Sequence, residues 1–201
     1  ITLLWPNKPS LPPPSNPPDP QHLGTFPTPS DPSEASLHTP PNALYHGDNL
    51  LALQHLRCSH AQQIDLIYLD PPFATGRIFR TRQTPSNSPI TAYRDTWSDK
   101  AQFLSMLYPR LCCITELLSP HGVLIVHTDT RFSSYVATLL FEIMGEESLQ
   151  NEIIWSYGGR GAKAHAGQFP RNHDTLLVFS KGTPTYHRQD RILRHPKAQL
   201  P

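Results

Sequence analysis

Apolar positions are thinly scattered over the first forty residues and then fall into blocks with distinct spacings. Asn49 to Leu56 (NLLALQHL) carries apolar residues at helical intervals, with Asp48 placed to cap the first turn. Ile64 to Leu69 is an apolar, partly β-branched run interrupted only by Asp65, short enough for a buried strand. It is followed by Pro71 and Pro72, which cannot continue a ladder, so the strand ends at Asp70. Residues 74–96 are polar and rich in turn formers and are expected to form a loop. Ser98 then caps a helix running to about Leu118, whose apolar face is Phe103, Leu104, Leu107, Leu111, Ile114, Leu117 and Leu118. Pro109 lies inside it and predicts a kink or a break. Ser119 to Gly122 reads as a turn, Val123 to Val126 as a strand ending at His127-Thr128-Asp129, and residues 132–144 as a helix stopped by Gly145. Further strands are expected at Asn151 to Tyr157 and Thr175 to Phe179, with a Gly- and Ala-rich loop from Gly158 to Gly167 between them.

Strands alternating with helices predict an α/β fold with a mostly parallel sheet. Ligands bind such sheets beyond the carboxyl ends of the strands, where Asp70 to Phe73 and Asp129 both fall.

Composition divides the chain further. Thirteen of its 23 prolines lie between Pro6 and Pro41. Proline fixes φ and lacks a backbone donor, so residues 1–42 are expected to be a disordered or extended arm. Residues 43–182 then form the folded domain and 183–201 a basic tail. The net charge is only +1, but eight Lys or Arg lie from Arg160 onward against two acids, Asp174 and Asp190. That asymmetry suits a polyanionic partner, with Arg160, Lys163 and Arg171 the candidate contacts. Cys58, Cys112 and Cys113 have neither disulfide nor zinc spacing and read as thiols of a reducing compartment. The eleven histidines show no ligand spacing, so no metal is expected; His127 and His173 read as packing or partner-side residues, and Trp155 as core. There is no apolar run long enough to span a membrane and no signal peptide at the first residue, so a cytoplasmic location is expected.

The most specific feature is Asp70-Pro71-Pro72-Phe73, an acid, two prolines and an aromatic directly after an apolar strand. An exocyclic amine on a nucleobase is a poor nucleophile because its lone pair is delocalised into the ring. Two acceptors aimed at its N–H bonds make it more tetrahedral. The Asp70 carboxylate and a backbone carbonyl, that of Pro71, are candidates, and the prolines hold them rigidly. Phe73 offers a flat face on which an extruded base can stack.

With these residues in view, Leu44 to Lys181 resembles the β class of DNA adenine-N6 methyltransferases, in particular the modification subunit of type III restriction systems. The matching runs, in the family's order, are Tyr45-His46-Gly47-Asp48-Asn49-Leu50, Asp65 to Phe73, Tyr108-Pro109-Arg110-Leu111, Leu117 to Val123 and His127-Thr128-Asp129. They continue with Glu152-Ile153-Ile154-Trp155, Asn172-His173-Asp174 and Val178-Phe179-Ser180-Lys181. The resemblance implies S-adenosylmethionine as cofactor and methyl transfer to the N6 of a flipped adenine in double-stranded DNA. It implies that Asp70, Pro71, Pro72 and Phe73 hold the base, that Asp48 lies near the adenine of the cofactor, and that Asp129 lines the same cleft. A restriction subunit, a second methyltransferase chain or a homodimer is the implied protein partner.

One departure qualifies this. The family's Phe-x-Gly-x-Gly turn, which wraps the methionine end of the cofactor, is missing, and Gly158-Gly159-Arg160-Gly161 follows the wrong strand. In the β class that turn comes after the catalytic part, so the chain is expected to be a fragment with a partial Rossmann-like methyltransferase fold. Such a fold lacks the strands that carry the Gly-rich motif. Guanine-N2 methyltransferases of ribosomal RNA place that turn first, and too few ordered residues precede Asp70 for that order. Cytosine-N4 enzymes more often carry Ser at this position and are the alternative within the class. A non-catalytic DNA-binding or regulatory remnant, and an interaction protein working through the Pro-rich arm, are the alternatives outside it.

Overall fold

The computed structural model describes residues 2–10, 22–26, 42–80, 91–157 and 171–184. In chain order the elements are β1 (His22–Phe26), β2 (Asn42–Tyr45), α1 (Asn49–His60), β3 (Ile64–Leu69), β4 (Arg77–Arg80), β5 (Thr91–Asp95) and α2 (Lys100–Leu117). They continue with β6 (Leu118–Asp129), α3 (Ser133–Met144), a one-turn 3₁₀ helix at Glu146–Ser148, β7 (Leu149–Ser156) and β8 (His173–Ser180).

The main sheet has the order β3-β6-β8-β7. β3 and β6 pair parallel, whereas β8 runs antiparallel to both β6 and β7. Three strands therefore point one way, and β8 is the reversed strand inserted between β6 and β7. This is the expected α/β architecture, but its sheet is mixed: β8 is reversed, so one of the three pairings is parallel and two are antiparallel.

One face of the sheet is buried. Leu124, Val126 and Thr128 of β6 and Thr175, Leu177 and Phe179 of β8 alternate inward, as period-two geometry requires. They pack beneath α2 and α3, with Phe103, Leu107, Leu111, Val136, Leu139 and Leu140 supplying the helical side of the core. The opposite face is open. Leu66, Tyr68 and Ile153 are all exposed there, and an apolar groove of about 450 Å³ runs over Leu66, Val123, Ile125, Ile153 and Val178. Trp155, expected in the core, is 59% exposed, because β7 is an edge strand.

Several expectations shift in detail. α2 passes through Pro109 without a break. The missing donor is offset by burial of side chains along the helix from Phe103 to Leu117. Its N-cap is Asp99, not Ser98: Asp99 Oδ1 accepts from Gln102 N at 2.8 Å, while Ser98 N donates to Gln102 Oε1 at 2.8 Å. The expected turn at Ser119 to Gly122 is absorbed into β6 as an irregularity. Ile64 pairs with Leu118 and Leu66 with Val123, so β6 carries three extra residues. Gly122 makes this possible, since a Cβ there would lie 2.8 Å from the Ile64 carbonyl oxygen and 3.0 Å from Ser119 N.

Parts of the Pro-rich arm are built into the structure. His22–Phe26 pairs antiparallel with Asn42–Tyr45. Nearer the start, Trp5 Nε1 donates to Ser105 Oγ at 2.8 Å, and Lys8 Nζ lies over the Trp5 and Tyr108 rings while it pairs with Glu142. The prolines exclude helix there, but they do not prevent a turn, closed by Lys8 N on the Trp5 carbonyl at 3.3 Å, from docking its aromatic and charged side chains on α2 and α3. Cys112 and Cys113 are buried and Cys58 is exposed, all as free thiols.

Candidate active site

β3 delivers its last apolar residue, Leu69, beside Val126 of β6. The two prolines then force the chain out of the sheet. Pro71 is buried, while the Asp70 side chain is 60% exposed at the strand's carboxyl end. After Phe73 the chain doubles back through two left-handed conformations, Ala74 (φ +51°) and Gly76 (φ +72°). Asp70, Pro71, Pro72 and Phe73 thereby line one side of a pocket of about 250 Å³. Its other side comes from Thr75, Phe79, Tyr93 and Asp95.

That second side was read from the sequence as loop. It is an antiparallel hairpin of β4 and β5, with Phe79 and Tyr93 directly paired and their rings stacked at 4.5 Å and 10°. Asp95 at its end is 1% exposed and accepts four hydrogen bonds through its side chain. Oδ1 receives Ala74 N at 2.9 Å and Trp97 Nε1 at 3.2 Å; Oδ2 receives Thr75 N at 2.8 Å and Thr75 Oγ1 at 2.7 Å. Burial alone would push this carboxyl up, but the bonds from Thr75, Trp97 and Ala74 outweigh it and leave its pKa below the usual value.

His127 of β6 joins the loop to β8. Its ring meets Phe73 edge-on, with centroids 5.1 Å apart and planes at 70°. Nδ1 lies 3.0 Å from Tyr68 Oη and 3.9 Å from Asp70 Oδ1; Nε2 lies 3.2 Å from Asp174 Oδ2. The two ring nitrogens thus face Tyr68 on β3 and Asp174 on β8. Tyr157 also bonds Asp174, and its own pKa is raised by burial and by the nearby Asp174 and Asp129 carboxylates. His127 thus packs against the motif itself.

Asp129 stands at the carboxyl end of β6, where its Oδ1 accepts from Arg131 N at 2.7 Å and Arg131 Nε at 2.6 Å. Arg131 Nη2 in turn donates to the Phe73 carbonyl at 3.2 Å. The Asp129 bond holds the guanidinium charged, raising its pKa. Asp129 therefore reaches the Asp70 loop through Arg131, a residue the sequence did not single out.

Asp48 lies elsewhere. It caps α1, with Oδ1 accepting from Leu50 N at 2.8 Å and Leu51 N at 3.3 Å, and its Oδ2 is 3.6 Å from Arg110 Nη2. It shares no hydrogen bond with the Asp70 loop among the described residues. Arg171 is exposed two residues before β8; Arg160 and Lys163 lie outside the described residues. Among the described residues no group of three His, Cys, Asp or Glu is placed to hold a metal, and no helix is long and apolar enough to cross a membrane.

Comparison with known proteins gives this geometry a family. A model described as "DNA methylase" matches residues 64–200. The Type II methyltransferase M.EcaI of Enterobacter cloacae is 31% identical over 159 residues, covering 79% of this chain and 33% of that protein. The Type II methyltransferase M.KpnI of Klebsiella pneumoniae is 29% identical, covering 72% and 34%. The EcoPI Mod subunit of a type III restriction-modification enzyme, from Escherichia phage P1, is 26% identical, covering 70% and 24%. The chain spans about a third or less of the length of these curated relatives. Among solved structures, the PvuII DNA methyltransferase (cytosine-N4-specific) aligns at 16% identity with a TM-score of 0.49, covering 71% of this chain and 50% of that one. With the matched region beginning at the first residue of β3 and taking in both sides of the pocket, the chain belongs to the DNA methylase family.

Proposed function

We propose that this chain carries the base-binding side of a DNA methyltransferase that moves a methyl group from S-adenosylmethionine to the N6 of a flipped-out adenine. The observation that carries the reading is the pocket at the carboxyl end of β3, with the exposed Asp70 carboxylate at its mouth and aromatic rings on both sides.

S-adenosylmethionine supplies an electrophilic methyl on a sulfonium. Two acids of this chain suit its polar groups. Asp48 has one oxygen committed to the α1 cap and a side chain 56% exposed, so it can accept from an amine or hydroxyl. Asp129 stands at the strand end beside the base loop.

The rest of the chemistry falls to the pocket. Phe73, braced by the edge of His127, presents a face for the extruded base. The Asp70 carboxylate accepts one N–H of the exocyclic amine and the Pro71 carbonyl accepts the other, directing the nitrogen lone pair at the methyl. On methylation, positive charge would develop on that nitrogen. Asp70 stabilises the charge and takes the departing proton, leaving the neutral methylated amine. The acceptors are already oriented by Pro71 and Pro72, so little reorganisation is needed as charge develops.

Arg171 at the entry to β8, with Arg160 and Lys163, contacts the phosphates of double-stranded DNA in this account. The protein works in the cytoplasm of a cell with a restriction-modification system, alongside a restriction subunit or a second methyltransferase chain.

The test is transfer of labelled methyl from S-adenosylmethionine to duplex DNA, followed by nucleoside analysis. Label in N6-methyladenine is the expected result. Label in N4-methylcytosine would replace adenine as the target, and DNA binding without transfer would support a non-catalytic remnant.

A further inference from the structure

Asp95 lines the pocket, yet its carboxylate has no capacity left for a substrate. An ionised carboxylate offers about four lone-pair sites, and here Ala74 N, Thr75 N, Thr75 Oγ1 and Trp97 Nε1 occupy them. Its main-chain carbonyl also accepts from Gly76 N at 3.0 Å. Three consecutive backbone donors, those of residues 74, 75 and 76, therefore end on one residue. These three directly follow Phe73, and two of them hold left-handed conformations, Ala74 with a Cβ that disfavours it. Such a turn persists only when its surroundings over-determine it. The same residue closes the β4–β5 hairpin that carries Phe79 and Tyr93.

We propose that Asp95 is the positioning residue of the base pocket: it fixes the turn after Phe73, and with it the placement of Asp70 and Phe73 against the Phe79–Tyr93 wall, without touching the base. This rests on the reading of the pocket given above, and deepens it. Trp97 reports on the same anchor, since its indole is one of the four donors.

The experiment uses the full chain and two readouts. The first is amide hydrogen exchange at Ala74, Thr75 and Gly76, followed by NMR. Asp95→Asn keeps the shape but sets an amide N–H₂ against donors, so exchange at these three amides is expected to quicken by about tenfold or more. Leu139→Ala, a core change on α3 that does not line the pocket, controls for general loss of stability. The second readout is the steady-state kinetics of methyl transfer. In Asp95→Asn, kcat should fall about tenfold or more while KM for duplex DNA changes by less than about threefold. Trp97→Phe removes a single donor and should give a smaller change in the same direction, which keeps the test open if Asp95→Asn does not fold.

Exchange at residues 74–76 no faster than in Leu139→Ala would overturn the anchor. Fast exchange with unaltered kcat would overturn its role in positioning. A wild-type chain without transfer activity would be a half-enzyme that needs its cofactor-binding part, a result that bears on the proposed function and not on the anchor, which the exchange comparison would still decide.

Discussion

Gly122→Ala probes the link between the sheet and the pocket, because β3 leads straight into Asp70 and its register on β6 is set beside Gly122. The added Cβ would meet Ile64 O at 2.8 Å, Leu118 Cδ2 at 3.0 Å and Ser119 N at 3.0 Å. Two of these three neighbours are backbone atoms, so relief requires β3 and β6 to move apart rather than a side chain to turn. Overpacking of this kind typically destabilises by about 1–3 kcal/mol. For a chain of this size each kcal/mol lowers Tm by roughly 2–4 °C, so a fall of about 2–12 °C is expected. Gly76→Ala is the contrasting control. Nothing lies within 4 Å of its would-be Cβ, and only the left-handed φ of +72° opposes it. Its cost should stay near about 1–2 kcal/mol, and the disturbance should be confined to the pocket loop. Thermal unfolding followed by circular dichroism measures both, and exchange at the Ile64 to Leu69 amides locates the damage. A Gly122→Ala protein with wild-type Tm and unchanged protection across β3 would refute the claim that this glycine sets the register.

Two further outcomes follow from the ionisation and burial of side chains. Asp95 and Glu142 both titrate below their usual values of 3.8 and 4.5 in the folded chain; at each, burial opposes the shift and hydrogen bonds win, at Glu142 those from Lys8, Leu3 and Tyr108. Groups depressed by folding stabilise above their unfolded pKa and lose that contribution as pH falls through the folded one. Tm should therefore drop on acidification below those values, and Glu142→Gln should flatten part of that slope; an unchanged acid profile in the variant would argue against the docked N-terminal segment. Burial also pushes the Cys112 thiol up to about 11 and raises Cys113. A thiol reagent at neutral pH should thus modify Cys58 alone in the native chain and all three cysteines in denaturant. Rapid native labelling of Cys112 would contradict the packing of α2.

The sequence carried the order of elements because its apolar runs are long or strongly periodic: Ile64 to Leu69, the face of α2 and Val123 to Val126 each have one plausible structure. The β4–β5 hairpin had no such signal. Arg77-Ile78-Phe79-Arg80 and Thr91 to Asp95 are short and mixed, and they pair only with each other, so the stretch from 74 to 96 looked like loop. Asp95 was invisible for the same reason, since an acid amid Arg94 and Thr96 shows no sign of being buried. The one available hint was Asp95-Thr96-Trp97, a lone acid near a tryptophan shortly after the Asp70 motif. Arg131 carries no signal in the sequence, because its bond to the Phe73 carbonyl depends on β3 and β6 being neighbours, which is tertiary information. Trp155 failed in the opposite sense, because its apolar setting gives no warning that β7 is an edge.

Asp70 was legible throughout, because two prolines after an apolar strand leave an acid only the strand's carboxyl end to occupy. The decisive measurement is the rate of methyl transfer from labelled S-adenosylmethionine to duplex DNA by the wild-type chain and by Asp70→Ala, with folding of both checked by circular dichroism. Loss of one of two preorganised acceptors should slow transfer by about a hundredfold or more, while the fold is retained because the Asp70 side chain is 60% exposed. A folded Asp70→Ala chain that methylates DNA at close to the wild-type rate would contradict the assignment of this pocket to the target base.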